Sequence, residues 1–246
     1  MSKKVLWALT ALVVFMVFLL VSMPARFALQ FVELPTGVQV GGVSGTLWRG
    51  ESDAVRADEI MLRDVHWRIR PLAVLGGQLQ VDVRIGEHVE NLLVGEGTLA
   101  IRSAQVRVRD MQLEARLMDL AGYAPQPSPF PLRGDVQLQL TNLVLGQPVC
   151  SEVQGKVELQ GGAMQVGPTW EDLGELQAVL GCEDGRLTAE LMPNTLGLTA
   201  FMRMDMQHAQ GEFQISESAQ APRSVRNLVA MLPEQARRVQ RFSVRF

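Results

Sequence analysis

The chain begins with a long run of apolar residues. Residues 5–23 (VLWALTALVVFMVFLLVSM) contain no charged side chain, Lys3 and Lys4 precede them, and Arg26 follows. As a helix, these 19 residues span about 28 Å, close to the ~30 Å hydrocarbon core of a bilayer. Lysines before the run favour a cytoplasmic N-terminus. The sequence therefore predicts a single-pass membrane anchor over residues 1–26, with the rest of the chain on the opposite side.

A cleaved secretory signal is the alternative interpretation of this run. Signal peptides have a shorter apolar region, roughly 7–15 residues, followed by a small-x-small cleavage site. Cleavage after Ala25 would place Met23 at the −3 position, and cleavage after Ala28 would place Arg26 there. These poor sites favour an anchor that is retained, whereas a removed signal would export the same domain without its tether.

Composition and motifs argue against several function classes. The formal net charge of −3 gives no indication of nucleic-acid binding. The three histidines, His66, His88 and His208, have no metal-ligand spacing, and neither a nucleophile elbow nor a phosphate-binding loop is found. We therefore expect no enzyme activity, no catalytic residues, no metal and no cofactor.

Alternation of apolar and polar residues dominates the rest of the chain. It is clearest in residues 78–85 (QLQVDVRI), 135–140 (DVQLQL) and 196–206, and it is typical of half-buried strands. Glycines between the runs mark hairpin turns. In residues 104–117 the alternation slips, which predicts a bulge or turn near Asp110.

The predicted fold is mainly β. A single transmembrane helix precedes a curled or folded-over antiparallel sheet, and a short C-terminal helix follows. We divide the exported part into a first sub-sheet (27–120), a proline-rich linker (121–131), a second sub-sheet (132–222) and a helical, basic tail (223–246) with a helix break at Pro233. No helix is expected to cover the apolar face, so the sheet must curl, fold over itself or pair with another protein.

Two cysteines, Cys150 and Cys182, lie in the second half of the chain. In an extracytoplasmic compartment an even pair indicates a disulfide, and a bond closing this loop would stabilise the fold by roughly 3–4 kcal/mol. Two buried free thiols are the alternative. The spacing fits neither CxxC redox chemistry nor a zinc site.

Residues 34–50 and 64–71 resemble the N-protein family of the bacterial type II, or general, secretion pathway. The resemblance rests on a Gly-x-x-Gly-Thr-Leu-Trp-x-Gly tract, a following Leu-x-x-Val/Leu-x-Trp-x-Leu/Ile-x-Pro tract and the cysteine pair. In this sequence the matching positions are Gly42, Gly45, Thr46, Leu47, Trp48, Gly50, Leu62, Val65, Trp67, Ile69 and Pro71, with Cys150 and Cys182. Residues 173–191 also look like the second-cysteine region of the family.

The resemblance implies an accessory protein of the inner-membrane platform that supports export of folded proteins across the outer membrane. Its expected partners are the other inner-membrane platform proteins and the secretin, contacted through β-augmentation or an exposed apolar face. The family tryptophans, Trp48 and Trp67, are interpreted as packing residues in strand-like tracts, with a partner hot spot as the alternative.

A second hypothesis comes from a different class. A one-face-apolar sheet on a membrane tether is also similar to the AsmA/TamB type of envelope protein, whose apolar trough is thought to carry lipid acyl chains. On that hypothesis Leu79, Val81, Leu138, Leu198 and Met202 would line a groove for lipid. The two hypotheses differ in whether the apolar face is closed.

Overall fold

The computed structural model describes residues 3–31, 37–58, 60–86, 90–122, 130–231 and 233–245. Helix α1 (Lys3–Val21) is followed by the short α2 (Ala25–Ala28) and a 3₁₀ turn (Leu29–Phe31). The chain divides into two compact units, Met1–Asn91 and Leu92–Phe246. The predicted linker at 121–131 stays a prediction, because residues 123–129 lie outside the described residues.

Unit 1 (Met1–Asn91) contains an antiparallel meander. Its strands pair in chain order, and the short helix α3 connects the last two: β1 (Val38–Gly45), β2 (Arg49–Ala57), β3 (Ile60–Ile69), α3 (Pro71–Leu75) and β4 (Leu79–Ile85). Period-two alternation places Val65, Trp67 and Ile69 of β3 on one face, opposite Ile85, Val83 and Val81 of β4. The polar residues between them form the other face.

Unit 2 (Leu92–Phe246) contains the remaining elements. These are β5 (Val94–Arg102), β6 (Gln105–Arg116), α4 (Leu117–Ala121), β7 (Leu132–Leu145), β8 (Cys150–Val166), β9 (Thr169–Asp172), β10 (Leu176–Glu183), β11 (Arg186–Leu191), β12 (Leu198–Met204), β13 (His208–Ile215), α5 (Arg223–Met231), α6 (Glu234–Arg237) and β14 (Gln240–Arg245). Strands pair antiparallel in chain order, except that β8 is long enough to pair with both β9 and β10.

Local sequence explains the turns and the irregularities of unit 2. Asp184 and Gly185, which join β10 to β11, have φ values of 51° and 78°, the left-handed pair that a two-residue hairpin requires. Asp110 has φ 49°, and the register between β5 and β6 shifts beside it. The bulge predicted near Asp110 is therefore confirmed.

The predicted fold class is confirmed: the chain is mainly antiparallel β, with an N-terminal apolar helix and a short C-terminal helix, and the sheet is not closed. The expectation that no helix covers the apolar face is wrong at one place. Helix α5 buries Val225 and Val229 against Leu196 and Ala221, with Leu198 and Ile215 packed around them. The helix supplies the second layer that a one-face-apolar sheet needs.

The C-terminal tail also differs from its prediction. The two helical segments α5 and α6 flank Pro233, as predicted, but the chain then returns to the sheet as β14. Phe242 and Val244 of β14 lie opposite Gly211 and Ala209 of β13. Arginines alternate with these apolar residues, so the strand carries the period-two pattern that its basic composition obscures.

Candidate functional site

The turn between β1 and β2 is the best-defined part of the predicted family motif. The Thr46 N–H donates to the Arg49 oxygen at 2.8 Å, and the Arg49 N–H donates back to Thr46 Oγ1 at 3.2 Å. Gly45, which opens the turn, has φ 83°, and a Cβ there would lie 2.6 Å from the Arg49 oxygen. Only glycine fits this position without strain, so the sequence around Thr46 specifies one tight turn.

This turn contacts the C-terminal end of α1. The indole Nε1–H of Trp48 donates to the backbone oxygen of Leu20 at 2.8 Å, and the Leu47 N–H donates to the Met23 oxygen at 2.9 Å. Leu20 is in the last turn of α1, whose carbonyls have no partner within the helix. The tryptophan therefore caps the helix that the apolar run forms, and Pro24 pairs with Thr46 beside it.

A second tryptophan, Trp67 on β3, also contacts this turn. Trp67 donates its Nε1–H to the Leu47 oxygen at 3.2 Å, and its ring lies over Gly50. A Cβ at Gly50 would lie 2.3 Å from Cζ2 of that ring. The backbone N–H of Ile69 donates to the Trp48 oxygen at 2.8 Å, which binds the turn to the end of β3 as well.

The structure thus brings most of the predicted motif residues together. Thr46, Leu47, Trp48, Gly50 and Trp67 form what we call the junction, the contact between the end of α1 and the sheet of unit 1. Two predicted positions lie nearby but outside it, since Gly42 has φ 63° within β1 and Pro71 begins α3 at its first position. Residues 34–36 of the resembling segment lie outside the described residues.

Sequence reasoning missed the partners of the junction. The acceptors on the α1 side are backbone oxygens, which any residue supplies, so no side-chain signal at Leu20 or Met23 could reveal them. It also missed Asn91, which is 8% exposed and accepts from the Arg63 N–H at 2.6 Å. The Asn91 amide also donates to the oxygens of Arg63 and Gly86, and joins β3 to the chain after β4.

Three arginines of unit 1, Arg49, Arg68 and Arg70, lie close together in the sheet register. Arg70 forms two hydrogen bonds of 2.9 Å with the carboxylate of Asp82, and this contact raises the pKa of Arg70 above its ordinary value. Arg49 and Arg68 lie directly opposite each other on β2 and β3. On its other side, Arg68 lies opposite Asp82 of β4.

The predicted cysteine pairing is confirmed in unit 2. Cys150 and Cys182 form a disulfide with Cα atoms 6.1 Å apart. Cys150 is 1% exposed and packs with Leu140 and Val153. The backbone oxygen of Gly185 accepts a hydrogen bond from the Cys150 N–H at 3.1 Å. The disulfide therefore lies where the β7–β8 and β10–β11 turns meet.

Two of the histidines, His66 and His208, contact carboxylates. His66 Nε2 lies 2.8 Å from Asp64 Oδ1, and His208 Nδ1 lies 3.6 Å from Asp205 Oδ1. His88 lies outside the described residues. Within the described part of the chain, no group of three or more His, Cys, Asp or Glu side chains is placed to hold a metal ion.

Comparison with known proteins gives a consistent result. The family described as "Type II secretion system (T2SS), protein N" matches residues 36–244. A "Type II secretion system protein N" from Vibrio cholerae serotype O1 is 26% identical over 95% of this chain and 94% of its own length. The protein of the same description from Aeromonas hydrophila is 30% identical, over 84% of this chain and 82% of its own. No solved structure matches the chain.

Proposed function

Because the chain belongs to the type II secretion system protein N family, we propose that it is an accessory component of that system, anchored in the inner membrane by α1. Its C-terminal domain lies in the periplasm and supports export of folded proteins across the outer membrane through protein–protein contacts. The partners are the other inner-membrane platform proteins and the secretin.

The anchoring role is supported by the exposure of α1. It carries no charged residue after Lys4, and none of its 19 residues is buried against the rest of the chain. A helix that is apolar on every side and of this length can cross the hydrocarbon core of a bilayer. The junction then fixes the sheet of unit 1 to the end of α1, because Trp48 binds Leu20 in the last turn of the helix and Leu47 binds Met23 just after it.

The interaction role is supported by the open strand edges. Within the described residues, β1 pairs only with β2, and β14 pairs only with β13. An unpaired edge offers a row of backbone donors and acceptors to a strand of another protein. We therefore propose that the partner proteins bind at these two strand edges. Binding of this kind needs no catalytic residues.

A photo-crosslinking experiment tests this assignment. A photoreactive residue replaces Gln39 on the β1 edge or Ser243 on the β14 edge of the full-length protein in cells that assemble the secretion system. Arg56 serves as the matched control, because it is equally exposed but lies on β2, which is flanked by two strands. Crosslinks to secretion-system subunits from an edge position and not from Arg56 support the proposal, and absence of such crosslinks at both edges contradicts it.

A lipid-binding role is a second candidate, favoured by one observation in unit 2. Register partners form an apolar row across eight strands, and most of its members are only half-buried: Met111, Leu140, Gly155, Leu180, Ala189, Met202, Gly211 and Phe242. Native mass spectrometry of the detergent-extracted protein separates the two roles. Stoichiometric phospholipid favours the lipid-binding role, and lipid-free protein that captures secretion subunits favours the scaffold.

A further inference from the structure

Unit 1 exposes four large apolar side chains next to the end of α1. Phe27 and Phe31, which follow α1 directly, are 50% and 72% exposed, and their rings stack edge to face at 5.3 Å. Leu72 and Leu75 of α3 are 80% and 86% exposed. Single exposed apolar residues are ordinary on protein surfaces, but a group of this kind marks an interaction site. We call these four side chains the apolar rim.

Strand topology places the two halves of the apolar rim at the same end of the sheet. In an antiparallel meander the β1–β2 turn and the β3–β4 connection, which contains α3, lie at one end, and the β2–β3 turn lies at the other. The hydrogen bond from Ile69 to the Trp48 oxygen joins the start of the β3–β4 connection to the junction. Trp48 in turn donates to Leu20 of α1.

The local sequence holds these side chains outward. In α2 the small residues Ala25 and Ala28 are 2% and 8% exposed and form the packed face, which leaves Phe27 on the outer face. In α3, Ala73 is half-buried, whereas the leucines on either side of it project away from the sheet. Each short helix therefore packs through alanine and presents larger apolar residues to its surroundings.

The distance between α1 and α2 limits where the rim can lie. Three residues, 22–24, separate Val21 from Ala25, and at most ~3.6 Å per residue they span about 11 Å. If α1 crosses a bilayer, α2 cannot leave the bilayer surface.

Positive charge surrounds the same end of the sheet. Arg26 is exposed in α2, and Arg49 lies opposite Arg68 at the ends of β2 and β3. Two like charges directly opposite each other on adjacent strands are destabilising, and Asp82, which lies opposite Arg68 on β4, is already hydrogen-bonded to Arg70.

We propose that the apolar rim inserts into the boundary between headgroups and acyl chains of the leaflet that α1 leaves, and that Arg26, Arg49 and Arg68 contact the phosphates of anionic phospholipids. The occupant is the bilayer surface, because the rim is continuous with the membrane helix and the charges are complementary to its headgroups. This inference rests on the proposed membrane anchoring by α1. It adds that unit 1 lies directly on the membrane and does not extend from it on a free tether.

Depth-dependent fluorescence quenching tests the proposal on the full-length protein in nanodiscs of phosphatidylethanolamine and phosphatidylglycerol. An environment-sensitive fluorophore is attached to a cysteine introduced by Leu75→Cys, Phe31→Cys, Val13→Cys or Arg56→Cys. Leu75, Phe31 and Arg56 are exposed, so the substitutions preserve the packing of unit 1. Arg56 is the matched control, since it lies seven residues along β2 from Arg49, about 23 Å from the rim end.

The expected result is a blue-shifted emission at positions 75 and 31, with at least about two-fold stronger quenching by a shallow nitroxide lipid than at position 56, as for side chains buried ~5–10 Å into the interface. Equal quenching at 75 and 56, with position 13 strongly quenched by a deep nitroxide, overturns the rim contact and leaves the anchoring intact. If position 13 is not quenched by the deep nitroxide, the anchoring itself is wrong, and the rim contact with it.

Discussion

Replacing Gly50 with alanine tests the packing of the junction most directly. A Cβ added at Gly50 would lie 2.3 Å from Cζ2 of Trp67 and 2.7 Å from the backbone oxygen of Ser44. Carbon atoms in favourable contact lie about 3.5–4.0 Å apart, so the ring would have to move by more than ~1 Å. It is not free to do so, because its Nε1–H donates to the Leu47 oxygen. Ser44 is held as firmly, since it belongs to the paired strand β1.

The magnitude follows from the cost of overpacking. Inserting a methyl group into a well-packed region destabilises a fold by about 1–3 kcal/mol. In a chain of 150–250 residues, each kcal/mol lowers the melting temperature by about 2–4 °C. We therefore expect Gly50→Ala to lower the melting temperature of the full-length protein by roughly 4–8 °C, for a loss of about 2 kcal/mol.

Gly41→Ala is the matched control on the neighbouring strand. Its added Cβ would meet only the Ala54 oxygen, at 3.8 Å, and its φ is not in the left-handed region. Glycine in a strand is about 0.5–1 kcal/mol less favourable than alanine, so this variant should be as stable as the wild type or slightly more stable. Thermal unfolding in detergent micelles, followed by far-UV circular dichroism, compares the two variants.

The Trp67→Leu background identifies the cause of the loss. If the indole ring is the obstacle, the destabilisation by Gly50→Ala should be smaller in this background by at least about 0.5 kcal/mol, the coupling expected for residues in contact. The reasoning is refuted if Gly50→Ala melts within a degree of Gly41→Ala. It is also refuted if the Trp67→Leu background leaves the loss unchanged.

Three further outcomes are expected. Trp48→Phe keeps an aromatic ring but removes the N–H that donates to Leu20, so the free energy of unfolding should fall by about 0.5–1.5 kcal/mol in chemical denaturation; an unchanged midpoint contradicts the helix-capping role. Replacing both Cys150 and Cys182 by serine should destabilise the protein by roughly 3–4 kcal/mol, and reducing the wild type should reproduce the loss; a change below about 1 kcal/mol contradicts it. Backbone N–H groups of the β12–β13 turn lower the pKa of Asp205 below its ordinary 3.8, so its stabilising contribution is present above that pH and lost as the pH falls through the lowered value. Asp205→Asn should therefore flatten the acid limb of a stability–pH profile, and an identical limb contradicts this assignment.

Prediction from sequence succeeded where the signal is local. The alternation in residues 78–85 and 135–140 identified β4 and the centre of β7, because successive side chains of a strand must point to opposite faces. The slip near Asp110 predicted its bulge for the same reason. Pro233 correctly separated α5 from α6.

Part of the candidate site was also predictable. The family motif singled out Trp48 and Trp67, and the structure brings both to the Leu47 turn. Their hydrogen-bond acceptors were not predictable, because a backbone oxygen is present at every residue and only the tertiary arrangement selects one. The arginine-rich tail hid β14 in a similar way, since a short edge strand is recognised by its neighbour in the sheet as much as by its own pattern.

By itself, the sequence determined that this protein has one apolar helix, a half-apolar antiparallel sheet and a pair of cysteines. Each of these features follows from the residue composition of a segment or from the alternation of apolar and polar residues. Neither signal depends on residues that are distant in the sequence. Only the tertiary structure decided that Trp48 caps α1 and that α5 covers Leu176 and Leu198. Both contacts join segments that are far apart along the chain, and such contacts depend on which surfaces folding brings together.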